Sequence, residues 1–184
     1  HAVTGRGGRV VVIDPRRTET AREFEWQPIT PDADAWLLLS LLHVLFAEGL
    51  ADQRALATQA TGAKGLRELT AAFPPEDTAI HTGIPAAVVR DLARQLSQKR
   101  AVVYSRLGTC LGSYPTLANF LLDAVNLVAG NLDRPGGWVF GNPPIPLQKI
   151  VAPLMSYGKW RTRIGGFPEV IGMEPAANMA AEIT

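Results

Sequence analysis

The chain contains one cysteine and three histidines among 184 residues. A single thiol excludes an internal disulfide framework. It equally excludes a zinc or iron–sulfur cage built from the cysteines of this chain alone. One thiol survives in either redox environment, and a cytoplasmic location is the expectation adopted. Charge of one sign is also lacking, since 18 basic and 17 acidic residues leave a formal net charge of +1. The basic residues are scattered rather than striped, which argues against a nucleic-acid surface. The longest apolar run, Trp36 to Ala47, falls short of the roughly 20 residues that a membrane span requires. No G-x-G-x-x-G follows a strand, because Gly5-Arg6-Gly7-Gly8 precedes one. No Walker loop, no His/Glu metal spacing and no Ser-His-Asp order can be assembled. Cys110 has no visible partner base, and small cysteines of this kind are common.

What the chain does contain is organised around Arg9-Val10-Val11-Val12-Ile13-Asp14-Pro15-Arg16-Arg17-Thr18. Val10 to Ile13 is a short β-branched run of the kind that fills a parallel sheet. Pro15 ends it, since proline cannot continue a ladder. Ligands in open α/β sheets sit at the carboxyl ends of strands. Asp14 at such a tip can accept bonds from ribose hydroxyls, and Arg16 can engage phosphate. The plainer alternative is a strand-to-loop turn in which Asp14 caps local backbone.

Further along, Thr18 is placed to cap one helical turn reaching Phe24. Trp26 to Ile29 reads as a short extended piece at a sheet edge or in irregular structure, because Pro28 bars a central position. Pro31-Asp32-Ala33-Asp34 opens the strongest helix, with Asp32 or Asp34 as its cap and Gly49 as its stop. His43 lies within that helix and reads as a hydrogen-bonded core histidine. Two weak helices follow around Thr61-Gly62, then Pro74-Pro75-Glu76-Asp77 and a short helix. After Pro85 comes a helix with Val88, Val89, Leu92 and Leu96 on one stripe and Arg90, Asp91 and Arg94 facing water. Ala101-Val102-Val103-Tyr104 reads as a second buried strand with its tip at Ser105-Arg106-Leu107-Gly108. A helix from Pro115 has Leu117, Phe120, Leu121, Ala124, Val125 and Val128 on its core face, and Gly130-Asn131 stops it.

This alternation predicts an α/β fold: a three-layer, Rossmann-like domain with a parallel sheet over residues 1–137. Residues 138–184 form a Pro/Gly-rich, irregular C-terminal extension, an ordered strap expected to lead towards a missing domain. His1-Ala2-Val3-Thr4 shows neither initiator methionine nor secretory pattern, and Ala180 to Thr184 supplies no closing element. A fragment of a longer polypeptide is the expectation. The acidic helix entrance adds a chemical preference. A carboxylate can accept from both N1–H and the 2-amino group of guanine, and adenine presents no such donor pair.

Five stretches together carry a family resemblance: Val11 to Ala21 (VVIDPRRTETA), Ile29 to Ala35 (ITPDADA), Ala101 to Thr109 (AVVYSRLGT), Asn126 to Gly137 (NLVAGNLDRPGG) and Trp160 to Val170 (WRTRIGGFPEV). In that order they resemble the molybdopterin oxidoreductases of the dimethyl sulfoxide reductase and formate dehydrogenase group. The resemblance implies a molybdopterin guanine dinucleotide-binding domain from a molybdenum-dependent oxidoreductase. Members bind two such cofactors, and an α/β domain of this pattern cradles one. Asp14 and Arg16 would then meet the guanosine and its diphosphate, Asp34 the guanine edge, and Arg106 and Gly108 the region near the pterin. Pro15, Thr30 and Asp32 complete the implied cofactor contacts. No catalytic residue and no metal ligand of the family falls on this chain. Molybdenum, its protein ligand and a 4Fe-4S cluster are expected only in the full-length protein. The remaining domains of that subunit are the implied partners, with no nucleic acid and no membrane span in this segment. The chain departs from the family's Pro-Gly-Thr-Asp at Asp32, where a side chain and a charge crowd a phosphate. That departure supports the competing reading, a non-catalytic α/β interaction module that has lost its nucleotide site.

Overall fold

The computed structural model describes residues 2–98, 100–141, 144–145, 157–170, 172–173 and 178–183. Two compact units are present, His1–Val139 and Phe140–Thr184.

In the first unit β1 (Val11–Ile13) pairs in parallel with β2 (Glu25–Gln27), placing Val12 opposite Trp26. Between them runs the short helix α1 (Glu19–Glu23), whose Thr18 hydroxyl accepts from Ala21 N at 3.3 Å. The chain therefore contains a small parallel sheet within a mixed helix and strand fold. Helices follow in series: α2 (Asp34–Ala47), α3 (Gln53–Gln59), α4 (Ala63–Thr70), α5 (Pro75–Thr82), α6 (Ala86–Gln98) and α7 (Pro115–Val128).

Helix α2 is the axis of the core and packs against α4, α5, α6 and α7. Leu42, Val44 and Leu45 are fully buried, along with Val89 and Ala93 of α6 and Leu121, Val125 and Val128 of α7. Each such aliphatic side chain contributes about 1.5–3 kcal/mol by leaving water. An apolar helix can be surrounded in this way only when neighbours cover every face. His43 fits this setting, with Nδ1 3.0 Å from the Thr70 carbonyl oxygen at the end of α4.

Three expectations are corrected here. Neither Asp32 nor Asp34 caps α2: Ala33 holds the capping position without a side-chain bond, and Asp34 is already the first helical residue. Arg90 and Arg94 do not simply face water. Both bind Glu48 at the C-terminal end of α2, Arg90 at 3.0 Å and Arg94 at 2.7 Å, and Arg90 also binds Glu76. An acid at a helix C-terminus opposes the helix dipole, and the two guanidinium groups offset it. In α7, Leu117 and Phe120 are exposed, and Ala118, Leu121, Leu122, Val125 and Val128 form the inner face. The expected stripe holds at Leu121, Val125 and Val128, with Ala124 packed beside them, and fails at Leu117 and Phe120 in the first turns.

The second buried strand expected over 101–104 carries no ladder among the described residues, and its Val102 and Tyr104 are exposed. The backbone of Val103 is satisfied by a side chain instead. Asn126 Oδ1 accepts from Val103 N at 2.9 Å, and Asn126 Nδ2 donates to Val103 O at 2.8 Å and to Leu122 O at 3.1 Å. A buried amide can take the place of a neighbouring strand because it offers both a donor and an acceptor.

The second unit holds β3 (Tyr157–Arg161) and β4 (Pro168–Val170) as an antiparallel pair, with α8 (Met179–Ile183) beyond them. Glu169 is buried and accepts from Lys159 N at 3.0 Å and Gly172 N at 2.9 Å. Most of the remaining strap expected over 138–184 lies outside the described residues.

Candidate functional site: a cleft at the entrance to α2

Asp14 sits at the carboxyl end of β1, where the sheet runs out. Its Oδ1 accepts from Arg16 N at 2.8 Å, closing the turn that Pro15 begins. Its carbonyl oxygen accepts from Trp26 Nε1 at 2.9 Å, which locks the tip onto β2. The local capping role foreseen as the plainer alternative is thus present, and it leaves Oδ2 available at the same tip. Pro15 and Arg16 are exposed.

Thr30 and Asp34 bracket the entrance to α2. Thr30 N donates to Thr82 O at 2.9 Å, tying this loop to the end of α5. Asp34 is half-buried, and that burial is the main cause that raises its pKa above the usual carboxylate value of 3.8. Its own backbone amide opposes the shift, and the charges of Asp32 and Asp14 add to it. The carboxylates of Asp32 and Asp14, on two loops, therefore both act on Asp34.

Opposite them stands the 3₁₀ turn Leu107–Cys110 and the loop into α7. A small cleft lies between the two walls, lined by Asp32, Asp34, Ala35, Thr109, Gly112, Tyr114 and Ala118. Asp32 joins the walls, its carboxylate accepting from both the amide and the hydroxyl of Ser113. These bonds lower its pKa. Of the eight residues expected at a cofactor site, the cleft unites Asp32 and Asp34. Asp14 lies close enough to act on Asp34 electrostatically. Arg106 and Gly108 are exposed on the same turn as Thr109, outside the lining, as are Pro15, Arg16 and Thr30.

Gly112, Ser113 and Tyr114 were missed by sequence reasoning. Their signal was a glycine, a hydroxyl residue and an aromatic immediately before the helix-starting Pro115, a pattern too common to stand out alone. Cys110 is exposed, with Asn119 Nδ2 3.6 Å from its sulfur. Among the described residues no three His, Cys, Asp or Glu side chains gather as a metal ion would require. Nor is any helix there long and apolar enough to cross a membrane.

Comparison with known proteins places this arrangement in context. Formate dehydrogenase H of Escherichia coli is 28% identical over 131 residues, covering 70% of this chain and 18% of that protein. The dimethyl sulfoxide reductase DmsA of the same organism is 30% identical over 152 residues, covering 70% of this chain and 19% of that protein. Among solved structures, acetylene hydratase from Pelobacter acetylenicus superposes with a TM-score of 0.69 at 25% identity, over 73% of this chain and 19% of that one. The chain thus spans about a fifth of the length of these relatives. Residues 2–158, which include both walls of the cleft, match the molybdopterin oxidoreductase family, and the chain belongs to it.

Proposed function

We propose that this chain is a molybdopterin guanine dinucleotide-binding domain of a molybdenum-dependent oxidoreductase subunit, and that it positions the guanosine and pterin ends of one cofactor. The observation that carries this reading is the half-buried Asp34 carboxylate lining a cleft inside the family-matched region. The donor and acceptor chemistry fits the group. A carboxylate without a competing cation suits the paired N–H donors of guanine, and such charge-assisted bonds contribute about 1.5–3 kcal/mol each. Asp14 and Arg16 would then serve the guanosine and its diphosphate, with Pro15 and Thr30 shaping the two loops. Arg106 and Gly108 would serve the region near the pterin, and Asp32 would act from the cleft wall.

In a bound complex the cofactor and its metal would supply the redox chemistry. The protein contributes position, exclusion of water and a tuned field. Burial strengthens every bond made at Asp34, and the Ser113 donors hold the facing wall in place. The small parallel sheet of residues 1–137 would belong to a three-layer, Rossmann-like domain, the iron–sulfur cluster and the molybdenum ligand would come from other segments of the longer subunit, and the cytoplasm remains the proposed location.

Calorimetry of the chain with GDP, ADP and NAD tests the assignment. GDP is expected to bind at least tenfold more tightly than ADP, and Asp34→Asn is expected to remove that preference. Equal affinity for GDP and ADP, or a preference that survives Asp34→Asn, overturns it.

A further inference from the structure

Asp32 occupies an unusual backbone position. Among the described residues, Asp32 (φ 64°) and Asp133 (φ 52°) are the non-glycine residues with positive φ. This left-handed region is strained for most side chains and is tolerated best by Gly, Asn and Asp. At Asp32 the strain comes with a specific contact. Oδ1 accepts from Ser113 N at 2.8 Å, and Oδ2 accepts from Ser113 Oγ at 2.5 Å. Both oxygens are committed although the residue is exposed. Gly112 makes the approach possible, because a Cβ there would collide with Asp32 Oδ1. The contact joins two loops separated by 81 positions in the chain, and both line the cleft.

A carboxylate that takes two adjacent donors with its two oxygens does what a pair of phosphate oxygens would do at the same place. We infer that Asp32 is a built-in anion that occupies the Ser113 donors and so closes this wall of the cleft to phosphate. It acts as a specificity determinant. Neutral, donor-rich groups reach Asp34, while a phosphate arriving at residues 112–113 meets both a filled pair of donors and a like charge. The inference rests on the guanine-nucleotide reading for its biological meaning, but the contact can be tested without a nucleotide.

The experiment titrates inorganic pyrophosphate into the chain and into Asp32→Gly, following the Ser113 amide by NMR and affinity by calorimetry. Glycine suits positive φ, so the variant is expected to fold. Pyrophosphate should bind Asp32→Gly at least about tenfold more tightly than the parent chain and shift the Ser113 amide only in the variant. Asp32→Asn, which tolerates the same backbone and lacks the charge, should fall between them, and it decides by the same readout if the glycine variant does not fold. Equal pyrophosphate affinity in variant and parent, or tighter binding that leaves the Ser113 amide unmoved, overturns the inference. A parallel titration with guanosine and GDP separates the two ideas. The ratio of GDP to guanosine affinity should rise in Asp32→Gly. If neither ligand binds any of the proteins, the guanine reading fails, while the pyrophosphate result still decides the role of Asp32.

Discussion

Helix α2 and the segment 101–104 are both strongly apolar, yet they meet the rest of the molecule in opposite ways. Helix α2 is enclosed by four other helices, and its central leucines are inaccessible to water. Val102 and Tyr104 are 44% and 59% exposed, and one buried side chain, Asn126, secures the backbone between them. Apolar composition therefore states what a segment can bury, not how much of it is covered. The difference divides labour within the unit. The packed helix supplies stability, and the loosely covered segment carries a tip, Arg106 to Cys110, that borders the cleft.

The sharpest way to break this comparison is to truncate one aliphatic side chain on each side. Leu42→Ala removes a fully buried side chain and is expected to lower unfolding free energy by about 3 kcal/mol. Val102→Ala should cost about 0.5 kcal/mol or less. Urea denaturation of the two variants checks this, and comparable losses would erase the distinction. Asn126→Ala comes next. It leaves Val103 N and Val103 O without their partner and is expected to cost about 2 kcal/mol. Hydrogen exchange should show the Val103 amide losing protection while the amides of α2 keep theirs.

A smaller effect is expected at the end of α2. Glu48→Gln removes the shared partner of Arg90 and Arg94 and should cost about 1 kcal/mol. The bond from Arg94 is the main cause that lowers the Glu48 pKa, with Arg90 adding to it. The contribution is present above the ordinary value of 4.5 and is lost as pH falls through the lowered one. The variant's stability should accordingly depend less on pH in the acid range. Asp34→Asn has the opposite sign and the smallest size. Burial raises the Asp34 pKa above 3.8, so ionisation works against the folded state, and the parent loses stability as pH rises through that interval. The variant should lack this slope, which denaturant midpoints at a series of pH values would reveal.

Local signals in the sequence were read well where local chemistry decides the outcome. Thr18 caps α1 as its residue type suggests, Gly62 and Gly83 turn at positive φ, and Pro115 begins α7. The parallel pairing of the Val11–Ile13 run was also legible, since a β-branched run that ends in Asp-Pro has few other uses. Long-range partnerships were not. Nothing near residue 32 announces Ser113, and nothing near Arg94 announces Glu48 at 46 positions' distance. The first turns of α7 were misread for the same reason. Leu117 and Phe120 satisfy the helical period of Leu121, Val125 and Val128, but how far along the helix the neighbours cover that stripe is a long-range matter. The acidic helix entrance was visible as two aspartates. Their separation into one bonded and one half-buried carboxylate depended on the opposing loop.

The amide of Asn126 has a mechanical consequence. In an ordinary sheet the carboxyl end of a strand is steadied from both sides, and its tip is as rigid as the sheet itself. Here the tip that bears Arg106 has no ladder on either side among the described residues, and its backbone is moored at Val103 to a rod, α7, through the Asn126 amide, with the Asn119 amide against Cys110 as a second tie to the same helix. The reach of the arginine therefore depends on a helix that begins only after it in the chain.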